Sequence, residues 1–148
     1  ALAGYKGSLW EGGHRVPAIA YWPGKITPGK VTDQTALGMD LFATMASVAG
    51  AELPAGLELD GVDLLPMLLD NKQLPHRTLF WRYLKERAVR KGPWKLLVQG
   101  KSVRLHNLTE DLGEKKNLAQ AEPEMVKALQ DELAAWESNV MAGVELKA

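Results

Sequence analysis

Hydrophobic and polar positions divide the chain into two stretches of different character, which meet near residue 75. In the first stretch, an apolar run at residues 16–22 is closed by a Pro-Gly pair, which predicts a buried strand that ends in a turn. Hydrophobic residues at helical spacing then predict a helix that begins at Asp40 and ends at Gly50. A shorter helix is predicted over residues 63–69, where a proline falls in the first turn.

The second stretch predicts a small antiparallel sheet that is followed by one long helix. Four short runs rich in β-branched and aromatic residues, with turn residues between them, lie at residues 78–84, 87–90, 94–99 and 103–108. In the last helix, which begins near Pro123, one apolar stripe is formed by Met125, Leu129, Leu133 and Trp136. A terminal helix that covers one face of the sheet is the economical assembly.

These patterns predict an α/β piece over residues 1–75 and a compact α+β subdomain over residues 76–148. The first piece has one strong strand candidate and two helices, which is too little to enclose a core. A lone strand that is buried on both faces is typical of an inner strand in a larger α/β sheet. We therefore expect upstream sequence to be missing, so that residues 1–75 form the last part of a larger domain.

Composition and charge narrow the classes of partner. The 18 basic residues balance the 18 acidic ones, so there is no electrostatic argument for a nucleic acid or membrane partner. No stretch approaches the ~20 apolar residues that are needed to span a bilayer. The chain has no cysteine, which excludes a thiolate metal site and a cysteine nucleophile within it. A small molecule is therefore the better expectation for the ligand.

The most unusual segment is glycine-rich and covers residues 4–17, with Lys6 placed between glycines just before the predicted strand. Glycine permits close approach of the backbone, and lysine offers a compact charge that suits a tetrahedral anion. This combination indicates an anion-binding loop. By spacing alone, however, such a segment is more often a glycine-rich turn with a solvated lysine.

Other candidate residues give weaker signals. The three histidines, His14, His76 and His106, have no spacing typical of a metal site, so no metal ligand is assigned within this chain. Because alternate residues of a strand point to opposite faces, Trp81 is expected in the core and Arg82 toward solvent. A guanidinium at that position is suited to anionic groups of a substrate.

Several ordered motifs resemble those of the C-terminal part of the sulfatases, formylglycine-dependent enzymes of the alkaline-phosphatase-like superfamily. The motifs lie at residues 6–17, 22–24, 39–44, 60–66, 87–96, 105–111 and 117–119. The resemblance covers nearly the whole chain. It implies the end of an alkaline-phosphatase-like α/β domain, followed by a small C-terminal antiparallel sheet that is packed by a terminal helix.

The resemblance implies that the full-length protein is a sulfuric ester hydrolase. In that family the lysine that corresponds to Lys6 contacts the sulfate group, where its charge stabilises the departing oxygen. His14 and Arg82 are secondary substrate-binding candidates, whereas Glu11 and Arg15 are assigned to the shape of the loop. The implied substrate is a small-molecule sulfate ester, and sulfated carbohydrates and aryl sulfates are both compatible with it.

The resemblance also implies parts that this chain does not carry. In the family, the formylglycine nucleophile and the calcium ligands lie upstream of the lysine that corresponds to Lys6. We therefore expect the chain alone to be inactive. Family resemblance favours a periplasmic or secreted location. Two alternatives stay open: a phosphoryl-transferring relative in the same superfamily, and a non-catalytic binding or docking module formed by the segment from Pro75 onward.

Overall fold

The computed structural model describes residues 1–142, which fall into two compact units. Of the described residues, unit 1 contains residues 1–17 together with residues 76–142, and unit 2 contains Ala18–Pro75. A boundary near residue 75 was expected from the sequence, but residues 1–17 pack with the C-terminal part of the chain. The assignment of residues 1–75 to the end of a larger α/β domain stays a prediction.

Unit 1 is built on a four-stranded antiparallel sheet with the order β1-β2-β3-β4. The strands are β1 (Thr78–Tyr83), β2 (Glu86–Lys91), β3 (Trp94–Gln99) and β4 (Ser102–Asn107). Two-residue turns join them, as expected for antiparallel neighbours. The predicted meander is therefore confirmed.

One face of the sheet is covered by the terminal helix α4 (Pro123–Val140). The buried core on this side consists of Val89, Leu96, Val98, Leu105, Leu129 and Leu133. At its edge the rings of Phe80 and Trp136 stack, with centroids 5.1 Å apart. The predicted apolar stripe of the helix thus packs on the sheet, as its spacing indicated.

The opposite face of the sheet is covered by the N-terminal segment (residues 1–17), which contains the short helix α1 (Glu11–His14). Leu9 is buried there with Ala88 and Leu97, and Trp10 and Trp81 pack beside them. Because both faces are covered, the four central residues of β3 are all buried. The N-terminal segment is therefore part of the core of unit 1.

Unit 2 contains α2 (Asp40–Ala49) and α3 (Leu65–Asp70), which contact each other. The Asp40 carboxylate accepts backbone N–H bonds from Leu37 at 2.7 Å and from Val62 at 2.9 Å. This carboxylate therefore connects two loops to the start of α2. The sequence had indicated only that Asp40 caps the first turn of the helix. Within residues 1–142, no helix is long and apolar enough to cross a membrane.

The predicted strand at residues 16–22 is wrong for the chain as described. Val16, Ile19 and Tyr21 are 77%, 96% and 85% exposed, and no strand is formed there. A strand needs a neighbour to accept and donate its ladder hydrogen bonds, and this run has none among residues 1–142. The apolar pattern alone could not supply that partner.

Shortening Leu129 tests the packing of α4 on the sheet. We expect Leu129→Ala to lower the free energy of unfolding by about 2–5 kcal/mol, because the cavity between helix and sheet cannot fully close. The neighbouring Gln130 is exposed, so Gln130→Ala is expected to change it by less than about 0.5 kcal/mol. Urea unfolding of both variants provides the comparison. Equal losses would show that α4 does not bury this face.

Candidate functional site

Lys6 lies on a closed loop at the surface of unit 1. The carbonyl oxygen of Tyr5 accepts hydrogen bonds from the backbone N–H of Ser8 at 3.1 Å and from its hydroxyl at 2.8 Å. These bonds close a turn around Lys6 and Gly7, whose φ of +89° strongly favours glycine. Lys6 is exposed. Its ammonium group is therefore held on a defined backbone and open to a ligand.

Two further glycines allow the ends of this loop to lie against each other. The N–H of Gly12 donates to the carbonyl oxygen of Ala3 at 2.7 Å. A Cβ atom at Gly12 would collide with that same oxygen, and a Cβ atom at Gly13 would collide with the carbonyl oxygen of Ser8. Neither backbone oxygen can move without opening the loop, so the two glycines are required by close packing.

A buried charge cluster, formed by Glu11, Lys95 and Glu114, fixes the end of the loop to the sheet. The Lys95 ammonium lies 2.8 Å from Glu11 Oε1 and 2.9 Å from Glu114 Oε1. All three side chains are almost fully buried. Buried charges are tolerated when they are paired and hydrogen-bonded. Here one ammonium lies between two carboxylates that come from distant parts of the chain.

The backbone takes part in this cluster as well. Glu114 Oε2 accepts the backbone N–H of Glu11 at 2.6 Å, at the first residue of α1. Glu114 itself has a φ of +53°, a left-handed conformation that costs a non-glycine residue about 1–2 kcal/mol. Its contacts with Glu11 and Lys95 must outweigh that strain. Both the side chain and the backbone of Glu11 are thus held.

Electrostatics keep Glu11 ionised. Burial acts to raise the pKa of Glu11, but the hydrogen bond and the positive charge of Lys95 outweigh it and hold this pKa below its ordinary value. Arg15 adds a second contact, 3.4 Å from Glu11 Oε2. The carboxylate is therefore ionised at neutral pH. The expected structural role of Glu11 and Arg15 agrees with this arrangement.

His14 lies at the edge of the cluster. Its Nε2 atom is 3.0 Å from the Lys95 ammonium, and its ring meets Trp81 edge-on with centroids 4.7 Å apart. Burial and the charge of Lys95 lower the pKa of His14 to about 4. The imidazole is neutral at pH 7, and since an ammonium has no acceptor, Nε2 accepts the bond. The role of His14 in substrate binding stays a prediction.

Arg82 and the Lys6 loop lie on opposite faces of the sheet. Arg82 points toward α4, where its guanidinium is 4.0 Å from Glu137, and Arg87 lies 3.3 Å from the same carboxylate. Trp81 packs on the face that the N-terminal segment covers. Trp81 and Arg82 therefore point to opposite faces of the sheet, as expected, and Arg82 is exposed. Whether Arg82 contacts a substrate stays a prediction.

The remaining histidines and the acidic residues form no metal site in the described part of the chain. His106 is fully buried on β4, opposite Lys95, and its ring lies against Trp10. Burial lowers the pKa of His106. Within residues 1–142, no group of three His, Cys, Asp or Glu is arranged to hold a metal ion. These residues do not fit the calcium ion that the resemblance implies.

Lys95 and Glu114 are the site residues that sequence reasoning missed. A signal for Lys95 was present, because a lysine inside an apolar strand that is buried on both faces requires a charged partner. No signal identified that partner, since Glu11 lies 84 positions away along the chain. Glu114 lies in the loop that follows β4, where its charge resembled that of an ordinary solvated loop.

Comparisons with known proteins agree with this architecture. Arylsulfatase A from Bos taurus is 53% identical over 76 residues, which is 51% of this chain and 15% of that protein. Steryl-sulfatase from Rattus norvegicus is 44% identical over 80 residues, which is 54% of this chain and 14% of that protein. The chain therefore spans less than a fifth of the length of these relatives.

Solved structures extend the likeness to nearly the whole chain. Ps i-CgsB, in complex with k-i-k-neocarrahexaose, matches with a TM-score of 0.79 at 30% identity and covers 91% of this chain and 31% of that chain. The family model for the C-terminal region of N-sulphoglucosamine sulphohydrolase matches residues 5–139. The chain therefore belongs to this family and corresponds to a sulfatase C-terminal region.

Proposed function

We propose that the protein to which this chain belongs hydrolyses sulfate esters, and that Lys6 binds the sulfate group. The match to a sulfatase family over residues 5–139 carries the proposal. The exposed ammonium of Lys6 on a closed loop supports it. Such a charge stabilises the negative charge that develops on the sulfate and on the leaving oxygen as the S–O bond breaks.

The proposed reaction also needs a nucleophile and a metal. We infer that a formylglycine and a calcium ion are held by sequence outside this chain, as the resemblance implies. A bound calcium ion would supply positive charge to the sulfate oxygens. This chain would then contribute a positioned cation and be inactive alone, because a cation without a nucleophile cannot break the S–O bond of the ester. A periplasmic or secreted location remains part of the proposal.

The proposed substrate is a small sulfate ester, either a sulfated carbohydrate or an aryl sulfate. Support comes from the names of the relatives, which include arylsulfatases and a steryl-sulfatase, and from the carbohydrate bound to Ps i-CgsB. Sulfate and phosphate are both tetrahedral anions, so the loop alone does not separate a sulfatase from a phosphoryl-transferring relative. The family match favours the sulfatase.

The buried charge cluster gives the loop its fixed position on the sheet. Lys95 holds Glu11, the first residue of α1, and the hydrogen bond between Gly12 and Ala3 then closes the loop that carries Lys6. A catalytic cation works best when its position is fixed before the reaction begins. We infer that Lys95 acts on catalysis only through the position of this loop.

Replacing Lys6 tests the proposed sulfate contact. In the full-length enzyme we expect Lys6→Ala to lower kcat on 4-nitrophenyl sulfate by about 10²–10³-fold, the range found when one donor to a developing anion is lost. Lys25 is exposed in unit 2, so Lys25→Ala serves as the matched control with unchanged turnover. Wild-type turnover in Lys6→Ala would refute the role of Lys6.

The 148-residue chain alone is expected to show no turnover in the same assay. Turnover by this chain alone would refute the inference that the nucleophile lies outside it.

Replacing Lys95 tests the buried cluster. We expect Lys95→Met to lower the free energy of unfolding by about 3–5 kcal/mol, because the buried carboxylates of Glu11 and Glu114 then lose the ammonium that lies between them. Lys127 is exposed and pairs with Asp131 on the surface of α4, so Lys127→Met is expected to cost less than about 1 kcal/mol. Denaturant unfolding measures both losses, and a Lys95→Met variant as stable as Lys127→Met would contradict the anchoring role.

The lowered pKa of His14 predicts how stability depends on pH. Between pH 6.5 and about 4, the unfolded state binds a proton at this histidine that the folded state does not. Stability therefore rises with pH across this window, by on the order of 3 kcal/mol for His14. The pKa of His106 is also lowered, so His14→Gln is expected to flatten only part of the curve. Urea unfolding at several pH values measures it, and an unchanged curve for His14→Gln would contradict a neutral His14.

A further inference from the structure

The turn between β1 and β2 has an unusual residue at its first position. The three hairpin turns of the sheet have positive φ values at this position: +53° at Leu84, +56° at Gly92 and +60° at Gly100. Two of them use glycine, which adopts this conformation without strain. Leu84 is strained there, and its side chain is also 78% exposed. Neither feature helps the fold, and outliers of this kind are concentrated at functional sites.

One side of this turn faces the Lys6 loop. An open depression of about 440 Å³ is lined by Gly7, Tyr83, Leu84, Lys85 and Glu86. Gly7 directly follows Lys6, so the depression begins at the proposed sulfate-binding loop. The ring of Tyr83 is half-exposed. The wall of the depression thus offers an aromatic ring, an aliphatic side chain and an ammonium group, all within unit 1. Its one carboxylate, that of Glu86, already accepts a hydrogen bond from Gln99 at 2.8 Å.

The other side of the same turn carries an excess of positive charge. A second depression of about 350 Å³ is lined by Arg82, Leu84, Lys85, Arg87, Gly100 and Glu137. Its three cations face a single carboxylate, and Arg82 and Arg87 already share that carboxylate. Leu84 and Lys85 line both depressions, so the turn lies between the Lys6 loop on one side and a cationic surface on the other.

We propose that Tyr83, Leu84 and Lys85 form a second substrate-binding site for the alcohol part of the sulfate ester, and that this part carries a second negative charge. The inference rests on the proposed function of Lys6. Tyr83 and Leu84 pack against the carbon skeleton, which explains an exposed apolar side chain at a strained position. Lys85 pairs with the second anion, and Arg82 and Arg87 extend the positive surface for a longer anionic chain.

Competition in the full-length enzyme tests this site. Two inhibitors of 4-nitrophenyl sulfate turnover are compared: a disaccharide that carries one sulfate group, and the same disaccharide with two. An inhibition constant is measured for each. We expect wild type to bind the disulfated form about tenfold more tightly, since one charge-assisted pair is gained. Lys85→Ala is expected to reduce this preference to about twofold or less. The ratio of the two inhibition constants cancels general damage to the active site.

Leu84→Gly separates a binding role from a structural one. Glycine suits the positive φ at this position, so we expect an unchanged or higher Tm together with weaker binding of both disaccharides by about threefold or more. A structural leucine would show the reverse. Lys127→Ala is the matched lysine control, because Lys127 lies ten residues along α4 from Glu137 and hence about 15 Å away along the helix axis.

The outcomes distinguish this inference from the function on which it rests. An active wild-type enzyme whose preference for the disulfated form survives Lys85→Ala overturns the second site alone. A Leu84→Gly variant with a lower Tm and unchanged inhibition constants also overturns it. A wild-type enzyme that hydrolyses no sulfate ester overturns both proposals. A preference lost in Lys85→Ala and kept in Lys127→Ala supports the second site.

Discussion

The ammonium group of Lys95 is buried inside the sheet of unit 1, and a buried charge of this kind is stable only with charged partners around it. Its partners are Glu11 from the N-terminal segment and Glu114 from the loop after β4. The requirement for neutralisation therefore brings three distant parts of the chain to one point. The helix that begins at Glu11, the closed loop before it and the position of Lys6 all depend on that point. The sulfate-binding candidate is thus fixed by the C-terminal sheet.

The same sheet explains why the N-terminal segment belongs to unit 1. Leu96 and Leu97 point to opposite faces of β3 and are both buried, one beneath α4 and the other beneath Leu9. A sheet with two apolar faces must be covered on both sides. Removing residues 1–17 would expose one of these faces together with Lys95. Loop position and core formation are therefore coupled, because the same residues serve both.

Local patterns predicted most of unit 1, since strands, turns and the amphipathic helix depend on neighbouring residues. The stripe of α4 and the glycine turns after β2 and β3 are examples. Pairings between distant residues were not predictable, because the spacing between Lys95 and Glu11 carries no information about their contact. The strand predicted at residues 16–22 was wrong for a related reason. An apolar run forms a strand only when a partner strand is present. Lys6 was found through its motif, and its candidate role came from the resemblance to a family.

The net charge of a sequence leaves out where its charged residues lie in the fold. The chain has no net charge, so its composition alone offered no electrostatic argument for a nucleic acid or membrane partner. The fold nevertheless places Arg82, Lys85 and Arg87 around one depression beside the turn between β1 and β2, which has a single carboxylate, that of Glu137, in its lining. Electrostatic potential depends on where charges lie, and it falls off over about 8 Å at physiological salt. Balancing acidic residues elsewhere on the chain therefore do not cancel this local excess, and a neutral chain can still present a surface suited to anions.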